Sequence, residues 1–328
     1  MKIDFVITWV DGSDPEWLEE KKHCFPDTDT DPRRFRDWEL LKYWFRGVEK
    51  FAPWVNQIYF ITWGHLPDFL NTDHPKLNII KHEDYLDEGY LPTFNSNAIE
   101  LSMYKIKDLS EHFVYFNDDT FLIKDVEEKD FFEFGLPKDV AILNPIVPQK
   151  HDTISGVMLN NIGVINQNFS FRSSFKNNWT KWLNLKYKQL LPLNLLFQPW
   201  SNVVGLYQQH LPTSFLKSTM KEVWDIEYEV LHETSLRKLR DNKRDVNQWL
   251  FKEWCVMQGK FEPRSIDFGE YIMIEDLKSI EKFKKAKNQS AKKVVCINDH
   301  VEKNLDEIIE EINKEFEDIL GEKSTFEI

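Results

Sequence analysis

The sequence predicts an α/β fold built on a mainly parallel sheet, and three observations predict it. Residues Ile3 to Val10 form a near-continuous apolar run, the pattern of a strand buried on both faces. Strand-like and helix-like stretches then alternate as far as residue 125, as in β-α-β units that lay parallel strands under helices. A further apolar run, Phe113 to Phe116, ends on Asn117 and the adjacent acids Asp118 and Asp119. Two carboxylates side by side at a strand end repel each other unless a cation or strong donors offset them. Strand ends are also where α/β sheets bind ligands. A solvated acidic turn is the plainer reading of a bare acid pair, so its surroundings decide.

Taken in order, the first strand stops at Asp11-Gly-Ser-Asp-Pro15, a strong turn sequence. Trp38 to Phe51 carries apolar residues at 41, 44, 45, 48 and 51, a helical period, and Pro53 stops it. Ile58 to Thr62 and Leu77 to Ile80 read as buried strands. Asn97 to Leu109 reads as a helix, with Ile99, Met103 and Ile106 on one face. Residues 140–170 hold short apolar pieces that suggest strands, and 172–260 read as mainly helical. The stretch Lys278 to Lys293 has seven Lys and one Glu, the signature of a solvated, mobile face. Its sharper reading is a loop facing phosphate or membrane. A short run, Val294 to Ile297, ends on Asn298-Asp299. The chain then closes with an amphipathic helix whose stripe is Leu305, Ile308, Ile309, Ile312, Phe316, Ile319 and Leu320.

Composition narrows the function classes. Twelve Trp and 25 Phe call for a sizeable core or a sugar-stacking surface, the core being the plainer reading, and the net charge of −13 argues against a nucleic-acid binder. Cys24, Cys255 and Cys296 are widely separated, so they suggest neither a disulfide framework nor a zinc site. The opening apolar run is too short for a signal peptide, and no stretch reaches membrane-spanning length. These features point to a reducing, cytoplasmic setting. They leave room for peripheral contact at the inner face of the membrane.

Several polar groups fall at segment ends. Trp9 is placed to stack on a base, and Asp11 or its neighbouring amides to hold a nucleoside. The local alternative for Asp11 is an Asx turn. Asn97 with Glu100 has capping-box spacing, while the same helix start offers free N–H groups to phosphate. His210 sits at a segment boundary, where a structural role is the commoner one. Arg237, Arg240 and Arg244 follow spacings of three and four. On a helix they would share a face as a solvated basic strip or an anion clamp. Asp299 is a second carboxylate at a strand end.

Together these segments resemble the Stealth family, the sugar-1-phosphate transferases of bacterial capsule synthesis. Their relatives include the catalytic subunit of N-acetylglucosamine-1-phosphotransferase. The first block of resemblance is Ile3 to Pro15. The second runs from Arg34-Phe-Arg-Asp37 through Ala52-Pro-Trp-Val55, Leu91 to Glu100 and Phe116 to Asp119. The third, around His210-Leu-Pro and Arg240 to Trp249, is weaker, with Arg240 and Arg244 competing for one arginine position. The fourth is Cys296 to Asp299. The resemblance implies a nucleotide-sugar-transferase-like (GT-A/Rossmann-like) single catalytic domain. Within it, 1–170 would be the nucleotide-binding core, 171–260 a helical acceptor-side region and 261–328 a return to the core.

The resemblance further implies a UDP-sugar donor, a glycan acceptor that includes lipid-linked forms, and release of UMP with formation of a phosphodiester. The implied metal is Mg²⁺ or Mn²⁺ on Asp118, Asp119 and Asp299. The implied catalytic residues are His210, Asp119, Arg240 and Glu100. Trp9, Asp11, Arg36, Asn95, Asn97 and Asn117 would bind the nucleotide sugar. The rival readings are an ordinary metal-dependent glycosyltransferase that releases UDP, and a non-catalytic glycan-binding subunit.

Overall fold

The computed structural model describes residues 1–26, 36, 38–148 and 154–328. Of the second block of resemblance, Arg34, Phe35 and Asp37 lie outside these residues. In chain order, β1 is Ile3–Thr8, α1 Pro15–Cys24, α2 Leu41–Phe51, β2 Ile58–Thr62, β3 Leu77–Lys81, α3 Ser96–Leu101, β4 His112–Phe116 and β5 Thr120–Leu122. Then come α4 Glu128–Phe131, β6 Phe132–Glu133, β7 Leu136–Asp139, α5 Ile154–Asn168, α6 Phe171–Asn177, α7 Trp179–Trp182 and α8 Leu191–Phe197. The chain continues with β8 Thr213–Leu216, α9 Lys217–Ile226, α10 Tyr228–Leu236, α11 Trp249–Gln258, β9 Glu262–Pro263 and β10 Gly269–Ile274. It ends with α12 Ile280–Asn288, β11 Val294–Asp299 and α13 Leu305–Leu320.

The main sheet has the order β3-β2-β1-β4-β8. Its first four strands are parallel, with Phe5 opposite Ile58 and Val114, and β8 is an antiparallel edge on β4. Successive residues of a strand face opposite sides. Phe5, Ile7, Phe60 and Phe116 therefore enter one core with α2 and α13, while Val6, Tyr59, Ile61 and Tyr115 enter a second core with α9 and α11. This double burial is why β1 reads as a near-continuous apolar run. Glycine matters where α2 crosses the sheet junction: a Cβ at Gly47 would sit 3.0 Å from the Leu122 carbonyl oxygen.

From β1 the chain moves outward to β2 and β3, then returns to place β4 on the other side of β1. The boundary between β1 and β4 is a topological switch point, where open α/β sheets leave a crevice beyond the strand ends. Past β4 the chain crosses into another sheet. β5 pairs antiparallel with β11, which is parallel to β10. Asn117, Asp118 and Asp119 form that crossing.

Several expectations are corrected. The helix predicted over Trp38 to Phe51 starts at Leu41, and an unforeseen helix, α1, follows Asp14, whose side chain accepts the Trp17 N–H. The helix expected over 97–109 ends at Leu101 and continues as a short 3-10 turn, and its cap is Asn95 rather than Asn97. Within 140–170, Ile154–Asn168 is a helix whose Ile162, Val164 and Ile165 are buried, so tertiary packing overrides an unclear local period. The region read as mainly helical also supplies β8, four residues that sheet pairing holds. The three arginines do not share a helical face, because α10 ends at Leu236. The Lys-rich stretch is a helix rather than a loop, with Lys282 and Lys285 exposed. Its helix α12 buries Ile280, Phe283 and Ala286, and Lys284 pairs with Glu311 of α13 at 2.9 Å.

Candidate functional site

A cleft of about 1240 Å³ opens at the strand ends beyond the switch point, lined by Trp9, Asp11, Asp118, Asp119, His210 and Arg240 among others. Topology explains the meeting. Trp9 and Asp11 follow β1, and the acid pair follows its parallel neighbour β4. His210 precedes β8, whose antiparallel register places Thr213 opposite Tyr115 at the same edge. Asn298 and Asp299 end the pairing strand β11, and the Ile297 N–H donates to the Asp119 carbonyl at 2.8 Å.

Asp119 is the hub. Its Oδ2 lies 3.5 Å from His210 Nε2 and 3.2 Å from Cys296 Sγ, and it accepts from Asn298 Nδ2 at 3.4 Å. Its Oδ1 is buried with no hydrogen-bond partner among the described residues, an arrangement that leaves a desolvated acceptor for a ligand. Burial raises the Asp119 pKa, but the hydrogen bond and charge of His210, with Cys296 and Asn298, hold it below the ordinary carboxylate value. Burial likewise lowers the His210 pKa, yet Asp119, Glu100 and Asp118 outweigh it and raise it above that of a free imidazole. Burial pushes the Cys296 thiol well up, and the charge of Asp119 adds to this, so the thiol donates to the carboxylate. His210 has φ +50°, a left-handed conformation that non-glycine residues seldom adopt and that clusters at functional sites. Trp249 and Tyr271 meet its ring edge-on, and Asn117 Nδ2 lies 3.3 Å from its Nε2.

Arg240 is exposed on the cleft wall and donates through Nε to Ser96 Oγ at 3.0 Å. It faces Glu100, a buried acid of α3 whose pKa burial raises while Arg240, Ser96, Tyr115 and His210 pull it back. Arg244 is exposed, bonds Asp241 and does not line the cleft. Of the two, Arg240 is the one that lines the cleft. Its loop is pinned by Asp245, a fully buried carboxylate. Asp245 accepts from Asn95 Nδ2 at 3.1 Å, Asn97 Nδ2 at 3.3 Å, the Asp241 N–H at 2.8 Å and Arg237 Nη1 at 3.0 Å. Asn95 and Asn97 are therefore committed to this anchor and are not cleft-lining.

Asp11 does form the Asx turn, accepting from Ser13 N–H and Oγ through Oδ1, and its own N–H donates to His65. Trp9 packs on Phe60 and His65 while lining the cleft. Arg36 and Trp38 both reach Asp299, at 3.5 and 3.2 Å. Of the three carboxylates expected to hold a metal, Asp299 is thus already engaged. Among the described residues, the candidate ligand atoms that lie within 4.8 Å of one another belong to Asp119, His210 and Cys296. Sequence reasoning passed over Cys296, Trp249, Tyr271 and Asp245. Cys296 carried one usable signal, its place in the strand that ends on Asn298-Asp299.

Residues 1–23 match the family model for Stealth protein conserved region 1, and residues 34–139 match that for conserved region 2. The chain is 42% identical over 337 residues to the capsular polysaccharide phosphotransferase WcwK of Streptococcus pneumoniae, covering 99% of this chain and 98% of the relative. The chain belongs to the Stealth family. Another relative is the receptor polysaccharide phosphotransferase WefC of Streptococcus oralis, at 37% identity over 100% of this chain and 99% of the relative. The exopolysaccharide phosphotransferase cps2G of Lactiplantibacillus plantarum is 37% identical over 99% of this chain and 96% of its own. Likeness of this extent to other Stealth members makes the chain an enzyme, a phosphotransferase. Among its described residues no helix is long and apolar enough to cross a membrane.

Proposed function

We propose that this Stealth phosphotransferase acts in cell-surface polysaccharide synthesis, moving a sugar-1-phosphate from a UDP-sugar to a glycan hydroxyl. The observation that carries the reading is the His210–Asp119 pair, set in one cleft with Asp118 and Arg240. Phosphoryl transfer asks a protein for positioning, charge neutralisation and one proton acceptor. His210 Nε2 accepts the proton of the attacking hydroxyl, and Asp119 steadies the resulting imidazolium. The hydroxyl oxygen bonds the phosphorus next to the sugar. The bond from that phosphorus to the bridging oxygen breaks, and UMP leaves with that oxygen. Arg240 meets the phosphoryl oxygens, and Glu100 behind it orients the guanidinium or a donor hydroxyl. Trp9, Asp11 and Arg36 receive the nucleotide.

Asp118 and Asp119 would hold Mg²⁺ or Mn²⁺, whose charge neutralises the donor diphosphate. The fit rests on hard carboxylate oxygens and on the unpartnered Asp119 Oδ1. A lipid-linked acceptor would approach past Gln189 and Leu190, which line the cleft next to the exposed Leu195, Leu196 and Trp200. Incubating the enzyme with a panel of UDP-sugars, Mg²⁺ or Mn²⁺ and acceptor glycan tests the reading. It predicts UMP and a phosphodiester ³¹P signal. UDP with a plain glycosidic product contradicts it.

A further inference from the structure

We infer that the floor of the cleft also takes a thiophilic divalent cation such as Zn²⁺, bound by Asp119, His210 and Cys296. The three side chains come from different segments: the β4–β5 crossing, the loop before β8, and β11. Their ligand atoms nevertheless lie within 4.8 Å of one another. Asp119 Oδ2 is 3.2 Å from Cys296 Sγ and 3.5 Å from His210 Nε2. Ligand atoms around a tetrahedral zinc, with bonds of about 2.0–2.3 Å, stand roughly 3.3–3.8 Å apart. Asp119 Oδ2 already stands at such spacings from both partners, and His210 and Cys296, within 4.8 Å of each other, close on an ion with a shift of no more than about 1.5 Å. Asp119 Oδ1, buried and unpartnered among the described residues, stays free for the cation of the donor diphosphate.

The donor set separates this cation from the one proposed for the diphosphate. Sulfur, imidazole and carboxylate together select zinc or cobalt over magnesium, which prefers oxygen alone. Asp119 and His210 line the cleft, so the ion enters from the solvent side. Cys296 is fully buried in the wall behind them, and one coordination position remains toward the cleft. Binding releases the Cys296 thiol proton to solvent, as a metal-bound thiol ionises outright.

One consequence is inhibition, because His210 Nε2 is occupied by the ion and cannot accept a proton. That consequence rests on the proposed role of His210, whereas the binding itself does not.

The test uses metal-free full-length protein titrated with Co²⁺, followed by the near-ultraviolet thiolate-to-cobalt absorption. A one-to-one band is expected. It should vanish in Cys296→Ser, persist in Cys24→Ser and be displaced by Zn²⁺ but not by excess Mg²⁺. His210→Gln provides a second variant should the serine variant fold poorly. It should weaken Co²⁺ at least about tenfold, the lower end of what even an outer partner's loss brings. A missing band, a band that survives Cys296→Ser, or Co²⁺ affinity unchanged in His210→Gln would overturn the inference. UMP release measured with Mg²⁺ and no zinc is scored separately, so failure of the cation site and failure of the phosphotransfer reading can be told apart.

Discussion

Two regions of the molecule gather charge, and they treat it in opposite ways. On the flank where α13 packs on α2, Tyr43 stacks on Phe316 at 5.1 Å. The buried Arg46 there makes four hydrogen bonds. Its Nε and Nη2 reach the two oxygens of Glu327 at 2.8 and 2.9 Å, and Nη1 reaches Leu320 O at 2.8 Å and Glu317 at 3.2 Å. In the cleft, Asp119 keeps one buried oxygen unpartnered, and His210 is held in a left-handed backbone conformation. The flank spends its charges on fixing geometry. The cleft leaves bonding capacity for a ligand, which is the difference expected between a structural network and a working site.

That contrast can be broken most forcefully on the flank. Arg46→Met leaves Glu327 buried without its partner and is expected to lower stability by about 3–5 kcal/mol, the cost of breaking a buried pair. Denaturant unfolding measures this, and activity per folded molecule should hold. The cleft should answer the other way. His210→Ala and Asp119→Ala are each expected to lower kcat by about 10²–10³-fold in protein that still folds, as when a transition-state partner is removed. Asp245→Asn lies between the two. It turns one acceptor of the Arg240 anchor into a donor facing Asn95 and Asn97. A misplaced Arg240 is expected to lower kcat up to about 10²-fold. The acid limb of the pH profile should stay put, since His210 is untouched.

The smallest effect is a shift in pH dependence. With His210 as base and its pKa raised, the acid limb of kcat/KM should lie above the ordinary imidazole value of 6.5. The stability signs follow from linkage. The contribution of His210 is complete below pH 6.5 and is lost as pH rises through its raised folded pKa. That of Asp119 is present above its ordinary 3.8 and is lost as pH falls through its lowered folded pKa. The pair should therefore stabilise the protein most between those two limits. Thermal melts of the wild type against Asp119→Asn across that range measure it.

The sequence made the sheet legible because β1, β2 and β4 are buried on both faces and leave no ambiguous alternation. The acid pair was legible because it interrupts such a run. Helix α5 was not, since Ile154–Asn168 mixes β-branched residues with asparagines and is held by packing. Nor was β8, which exists through its pairing with β4. In the site, Asp119, His210, Trp9 and Asp11 could be named because they end segments, and Arg240 through the resemblance. Asn95 and Asn97 were read as ligand-facing because nothing local announces Asp245, 148 residues or more away along the chain. Cys296 escaped because its significance is a distance to Asp119, and spacing along a sequence carries no such distance.

The central claim is that the phosphorus next to the sugar travels with it. A UDP-sugar carrying radiolabel in its β-phosphorus, given to the enzyme with Mg²⁺ or Mn²⁺ and an acceptor glycan, reads this directly. The account predicts label in the glycan and unlabelled UMP. Label retained in released UDP, with an unlabelled glycan product, would contradict it.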